Sequence, residues 1–253
     1  MTTSGNYRDV TAIIVAMTDR EKPFLMESIT SVFRQSDVTQ VILCVDKENS
    51  WVHSTVGSLL EDIRLELLKL PLMPPGAIRN EATKYVKNPW LAYCDGDDVW
   101  CEEKICSQRE VAHDRDCDFV GTDHYLTNEK GAVKAFALAQ NLPMTSSWLV
   151  RTKIMQQFPF NESLYTGEDG EWWIRTENVI QKVRLPKMLI RYRVSSGSLS
   201  SATSSKKKKA LIVLFSSVPV FGLSITGLTF FAWLFTRRSY YLWQPRWGNQ
   251  PNA

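Results

Sequence analysis

The segment Leu91-Ala92-Tyr93-Cys94-Asp95-Gly96-Asp97-Asp98 decides how this chain is read, because an apolar run breaks off into three carboxylates within four residues. The apolar half predicts a strand over residues 89–94, and the acids stand where that strand ends. Like charges this close repel one another and gain nothing from a core, so they point to a bound cation or to a solvated turn. An extended backbone sends residues i and i+2 to one side, which lets Asp95 and Asp97 address one ligand while Gly96 leaves room for close approach. Open α/β sheets bind ligands just beyond the carboxyl ends of their strands. An oxygen-only donor set suits Mg2+ or Mn2+, which bridge one or two carboxylates to the phosphates of a nucleotide. The same residues also read as a turn whose acids cap a helix beginning near Trp100.

Working outward, apolar runs and helical patterns alternate on the N-terminal side. Val10 to Ala16 and Val41 to Val45 predict buried strands, with a helix from Pro23 to Phe33 between them. A helical stretch near residues 56–63, a strand over 65–70 and a helix opened by Pro74-Pro75 and running to about Val86 follow. A helix from about Glu102 to His113 comes after the acids. This alternation predicts a mostly parallel sheet covered by helices. Beyond Asp116 the pattern loosens into strands near 119–125, 133–138 and 146–150 and a short helix near 153–157. A helix from Glu168 and two short strands at 182–185 and 188–192 complete a mixed second half. The division expected is a nucleotide-binding half over residues 1–115 and an acceptor-binding half over 116–200.

With 253 residues, 44% of them hydrophobic and 23% charged, the chain can bury a substantial core. A net charge of +3 without a basic stripe argues against nucleic acid as a partner. Five cysteines lack paired spacing and do not cluster with the three histidines, which excludes a zinc-site reading and fits reduced thiols in the cytosol. The first residues carry no signal-peptide pattern, so a cytosolic N-terminus is expected.

Residues 210–235 contain no charge and exceed the ~20 residues that cross a bilayer as a helix. Lys206 to Lys209 precede the run and Arg237-Arg238 follow it, with Trp233, Tyr240, Tyr241 and Trp243 at the second boundary. We expect a Ser- and Lys-rich linker over 201–209, a membrane-spanning segment over 210–236 and a basic, aromatic tail over 237–253, with the preceding domain cytoplasmic. Pro219 and Gly222 leave a re-entrant hairpin as the alternative topology.

In order, these landmarks resemble the family 2 glycosyltransferases, enzymes of the GT-A fold that move a sugar from a nucleotide donor. The resemblance runs from about Val10 to Ser200. It is carried by the first strand Thr11 to Ala16, the second strand Val41 to Asp46, the helix start Pro75-Gly76-Ala77-Ile78-Arg79-Asn80, Asp95-Gly96-Asp97-Asp98, Gly167-Glu168-Asp169-Gly170-Glu171-Trp172-Trp173 and Tyr192-Arg193. It implies an α/β GT-A domain that inverts the anomeric centre. By that resemblance Asp97 ligates Mg2+ or Mn2+, Asp95 contacts the donor and Asp46 hydrogen-bonds the base. It also implies that Asp169 takes the acceptor proton, while Arg79 and Arg193 approach the base or the diphosphate. The partners implied are a nucleoside-diphosphate sugar, first a UDP-sugar, and a glycan or lipid-linked acceptor at the membrane.

Three positions depart from the family pattern. Ala16-Met17-Thr18-Asp19 replaces the usual proline-threonine-tyrosine-asparagine, Lys47 follows Asp46 where a second aspartate is common, and Ser195 stands where a histidine often lies near the diphosphate. Asp169 on its own also reads as a helix cap, and one of Trp172 and Trp173 belongs to the core while the other is free to meet an acceptor sugar. Two other functions remain in contention: a tethered domain that binds a nucleotide sugar without catalysis, and a sugar-phosphate nucleotidyltransferase. The second needs a glycine-rich phosphate loop that residues 17–22 lack.

Overall fold

Strand β1 (Val10–Ala16) is the centre of a parallel core, with β2 (Val38–Asp46) on one side and β4 (Trp90–Asp95) on the other. The computed structural model describes residues 9–137, 139 and 142–194. Strand β3 (Leu65–Leu70) continues the parallel set beyond β2. On the far side of β4 the sheet turns antiparallel, through β8 (Leu149–Arg151) and then β6 (Phe119–Thr127). Strand β9 (Lys182–Arg193) and the two-residue β5 (Val99–Trp100) close the order β3-β2-β1-β4-β8-β6-β9-β5 among the described residues. The parallel expectation therefore holds for β1 to β4, and the mixed reading for the second half.

Strand alternation sorts the core into two layers. Ala12, Ile14, Leu43, Val45, Ala92 and Cys94 face one way, against Leu25, Ile29 and Val32 of helix α1 (Leu25–Phe33) and Ile105 of α4 (Lys104–Asp114). Ile13, Ile42, Cys44, Leu91 and Tyr93 face the other way, against α3 (Pro75–Thr83), α5 (Thr152–Gln157) and α6 (Glu168–Arg175). Fully burying each large apolar side chain contributes about 1.5–3 kcal/mol, so both layers are needed to hold the strands in register. Asp46 and Asp95 continue the parity of Cys44 and Tyr93, which directs both carboxylates to the α3 side at the carboxyl ends of their strands.

Four expectations change. The helix expected near 56–63 is α2 (Val52–Val56), followed by a 3-10 turn over Gly57–Glu61, because Gly57 at φ 57° ends the helix. Val99 and Trp100 pair with Ile190 and Arg191 as a strand where a helix start was expected, so the acids before them cap no helix. The two short strands of the last sheet region are one strand running through Pro186, at a solvent-exposed position where the missing N–H costs least. Asp97 lies in a turn, not in an extended segment, because β4 ends at Asp95.

The chain divides into a larger unit, residues 1–125 with 138–192, and a smaller one, residues 126–137 with 193 onward. The described part of the smaller unit is a hairpin between the end of β6 and β7 (Val133–Ala137), turned at Gly131 with φ 75°, together with Arg193 and Val194. Linker, membrane segment and tail expected after residue 200 lie outside the described residues. Among the described residues no helix is long and apolar enough to cross a membrane.

Candidate active site

The acidic turn is built by backbone contacts to its neighbours. Asp98 N–H donates to the Asp95 carbonyl at 3.0 Å, closing the turn, and Gly96 N–H donates to the Val15 carbonyl at 2.8 Å. Ser28 Oγ in turn donates to the Gly96 carbonyl at 3.0 Å. A Cβ at residue 96 would stand 2.8 Å from the Cβ of Ala16, so the close approach that glycine permits here is to the end of β1. Ser146 Oγ accepts from Asp95 N–H at 3.0 Å and donates to Asp98 Oδ2 at 2.6 Å. Asp98 is fully buried, so this hydroxyl serves the turn's internal carboxylate, while Asp95 and Asp97 remain partly exposed. Beneath the turn, fully buried Lys104 has Nζ 4.1 Å from the Trp100 ring centre, and burial pushes its amine down to about 7.

Arg79 joins this turn to the start of α6. Its Nη2 donates to Asp95 Oδ1 and its Nη1 to Glu168 Oε1, both at 2.8 Å. The residue is 4% exposed, and its guanidinium lies 5.8 Å from the Tyr93 ring and 5.9 Å from the Phe160 ring. Burial alone would favour loss of the proton, but Asp95 and Glu168 outweigh it and hold the charge. Stripping one partner from such a group costs about 3–5 kcal/mol, because a charge is left buried and unpaired. The neighbouring Asn80 donates to the Phe160 carbonyl at 2.9 Å and accepts from Phe160 N–H at 2.9 Å. Arg79 and Asn80 together therefore fasten α3 to the segment that leads into the acid pair.

Asp169 occupies the first turn of α6, after Gly167 at φ 83°, and its Oδ1 accepts from Gly170 N–H at 2.8 Å. Burial raises its pKa first and the adjacent Glu168 charge raises it further, against the lowering effects of the Gly170 bond and Arg79. A carboxylate so perturbed is a stronger base than a solvated one. Trp172, fully buried, donates to the Phe158 carbonyl at 2.6 Å and belongs to the core, whereas Trp173 is half-buried under Lys182. Asp123, 2% exposed, accepts from Arg184 Nε and Nη2 and from the N–H of Ala139, which ties β6 to β9.

The structure brings Asp95, Arg79, Glu168 and Asp169 into one connected group and puts Asp46 at the matching end of β2. Asp46 Oδ1 accepts from Glu48 N–H at 2.8 Å while the side chain stays partly exposed. Arg193, in the smaller unit, is buried and donates to the Glu129 carbonyl at 2.7 Å. Sequence reading did not find Ser146, Glu168 as the partner of Arg79, or Glu21. Glu21 accepts from Thr18 N–H and Oγ1, and burial raises its pKa, with Asp95 adding to the rise. Among the described residues no three His, Cys, Asp or Glu side chains are disposed to enclose an ion. The carboxylate oxygens of the turn are hard donors of the kind that Mg2+ and Mn2+ take.

A sequence model described as Glycosyl transferase family 2 matches residues 12–180. An uncharacterised glycosyltransferase of Methanocaldococcus jannaschii is 22% identical over 207 residues, 74% of this chain and 71% of that protein. The Escherichia coli UDP-Glc:alpha-D-GlcNAc-diphosphoundecaprenol beta-1,3-glucosyltransferase WfgD is 26% identical over 202 residues, 74% of this chain and 78% of it. Residues 1–349 of S. aureus TarS, solved with UDP-GlcNAc, superpose with a TM-score of 0.65 at 16% identity, over 77% of this chain and 61% of that one. The mannosyltransferase PcManGT of Pyrobaculum calidifontis, in complex with GDP-Man and Mn2+, gives 0.60 at 11% identity, over 75% and 58%. The chain thus spans about three fifths of the length of these solved relatives, and at such identities the likeness is one of fold.

Proposed function

The chain belongs to glycosyl transferase family 2, and from that premise we propose that it is an inverting enzyme which moves a sugar from a nucleoside-diphosphate donor to a hydroxyl acceptor. The observation that carries the reading is the Asp95–Arg79–Glu168 bridge, which joins a carboxylate turn at a strand end to an acid pair at a helix start. These are the two stations a displacement needs, one for the diphosphate and one for the acceptor proton. Asp169 accepts the proton of the acceptor hydroxyl as its oxygen bonds to the anomeric carbon. The bond from that carbon to the diphosphate oxygen breaks on the opposite face, and the nucleoside diphosphate leaves with the electron pair. Direct displacement inverts the configuration and needs no covalent sugar intermediate.

Asp46 and Asp95 hold the nucleoside, and Asp97 takes Mg2+ or Mn2+. Such a cation offsets the negative charge that builds on the leaving diphosphate. A UDP-sugar is the first donor to test, since WfgD takes UDP-Glc and TarS was solved with UDP-GlcNAc, and GDP-Man is the second, after PcManGT. The uncharged run over 210–235 supports an acceptor carried on a membrane lipid at the cytoplasmic face.

Calorimetry of the full chain with UDP-Glc, UDP-GlcNAc and GDP-Man, with and without Mn2+, tests the donor site. Binding that requires the metal and is lost in Asp97→Asn is expected. A folded wild-type chain that binds none of the three removes the reading.

A further inference from the structure

Glu168 and Asp169 are adjacent carboxylates at the start of one helix, and the family reading gives a role to only one of them. Their surroundings differ. The Glu168 side chain is 10% exposed and spends one oxygen on Arg79, at 2.8 Å. Its Cβ would stand 3.4 Å from a Cβ placed on Gly76, so the helix start presses against α3 where glycine leaves space. Asp169 is half-buried and its described bond is local, to Gly170.

We propose that Arg79 and Glu168 form a strut that positions the base Asp169 against the donor held at Asp95, with Glu168 a positioning residue and not a second base. This inference rests on Asp169 being the base in the reaction proposed above. The guanidinium is suited to the task because it is planar and offers two separate Nη donors, so it fixes the distance between carboxylates 73 residues apart in sequence, at 95 and 168. The Tyr93 and Phe160 rings flank it, and Asn80 clamps the chain at Phe160, so the strut has little freedom to tilt. A lysine at position 79 carries the charge without the fork and cannot serve both carboxylates in this geometry. The charged groups acting on Asp169 are Glu168 from its own helix and Arg79 from α3. Neutralising Glu168 without shortening it therefore changes the field at Asp169 as well as the strut.

The test measures nucleoside-diphosphate release by the full chain, with Mn2+ and whichever donor binds, for wild type, Asp169→Asn, Glu168→Gln and Arg79→Lys across pH. For Glu168→Gln the donor KM is expected to stay within about twofold while kcat falls about tenfold. The acid limb of its kcat profile moves to lower pH, because the like charge that raised the Asp169 pKa is gone. Arg79→Lys is expected to lose kcat and to raise donor KM together, having let go of Asp95 or Glu168. A Glu168→Gln variant whose kcat stays within about twofold of wild type overturns the strut. Glu168→Gln is nearly isosteric and decides the matter even if Arg79→Lys does not fold, as its thermal transition would reveal. No release by wild type, or release undiminished in Asp169→Asn, instead overturns the reading on which the inference stands.

Discussion

The acidic turn after β4 and the first turn of α6 offer carboxylates to the same guanidinium, yet they are held in different ways. The turn is tied to the sheet chiefly by backbone, Gly96 N–H to the Val15 carbonyl and Asp98 N–H to the Asp95 carbonyl, with one side chain, the Ser146 hydroxyl, taking the Asp95 N–H. The helix start depends on side chains reaching from α3, with Arg79 on Glu168 and Asn80 on Phe160. Its N-cap, Gly167, makes no side-chain cap bond, and the approach through Asn161 to Ser163 and Tyr165 is exposed. The turn, proposed above as the donor end, is thus built into the fold, whereas the helix start, proposed as the base end, is aimed by a few polar contacts. Geometry at the reacting centre is then most easily lost at α6 without unfolding anything.

The largest effect that sharpens this contrast is at Asp169. Asp169→Asn should lower turnover by about 10³-fold or more while donor affinity by calorimetry stays within about twofold. Donor affinity falling in step with turnover would mean that the two ends are one site without division of labour. Ser146→Ala acts on the other end. It leaves the buried Asp98 carboxylate short of a hydroxyl, a loss of about 1–3 kcal/mol. The expected result is roughly tenfold weaker donor binding with a lowered Tm. Unchanged binding and Tm would show that the turn does not need its anchor.

A smaller effect is expected from Gly76→Ala, because the new Cβ would meet the Phe160 Cβ at 2.9 Å and press on Glu168. The base end should shift by a few tenths of an ångström and kcat should fall about fivefold at unchanged donor Kd. Steady-state kinetics beside calorimetry check this. A loss confined to Kd would place the strain at the donor end and break the comparison.

The same division governs what the sequence could reveal. β1, β2 and β4 read directly from apolar runs, since a strand buried on both faces needs no distant information to be recognised, and half-exposed β3 read from the leucines between Leu65 and Leu70. Asp95 and Asp169 were legible as short acidic patterns in the right order. Arg79 was picked out, but as a group facing the base or phosphates; its commitment to Glu168 was not readable, because a contact across 89 positions leaves no local periodicity. The available hint was the Gly76-Ala77 pair just before it, small residues that mark close packing against another element. Ser146 was expected to open a strand over 146–150 but lies in a 3-10 turn ahead of β8, a place set by what Asp95 and Asp98 require of its hydroxyl and not by local pattern. Strand β5 was missed for a related reason: two residues pair only because β9 runs alongside them.

The smallest effect concerns stability, and its sign follows from the raised pKa of Asp169. A carboxyl whose pKa is higher folded than unfolded stabilises the fold when protonated. That contribution is present below the unfolded value and is lost as pH rises through the folded one. At neutral pH the wild-type chain therefore carries a partly desolvated charge, raised in energy by Glu168, that costs stability in exchange for basicity. Asp169→Asn removes the charge and keeps the shape, so its Tm should exceed that of wild type by about 2 °C near pH 7.5. The gap should close near pH 4, as the wild-type carboxyl takes up its proton. Thermal unfolding of both proteins across that range checks the sign. A variant less stable than wild type at neutral pH would make Asp169 a helix cap whose bond to Gly170 outweighs its desolvation, and the base end would then owe its form to local capping and not to α3.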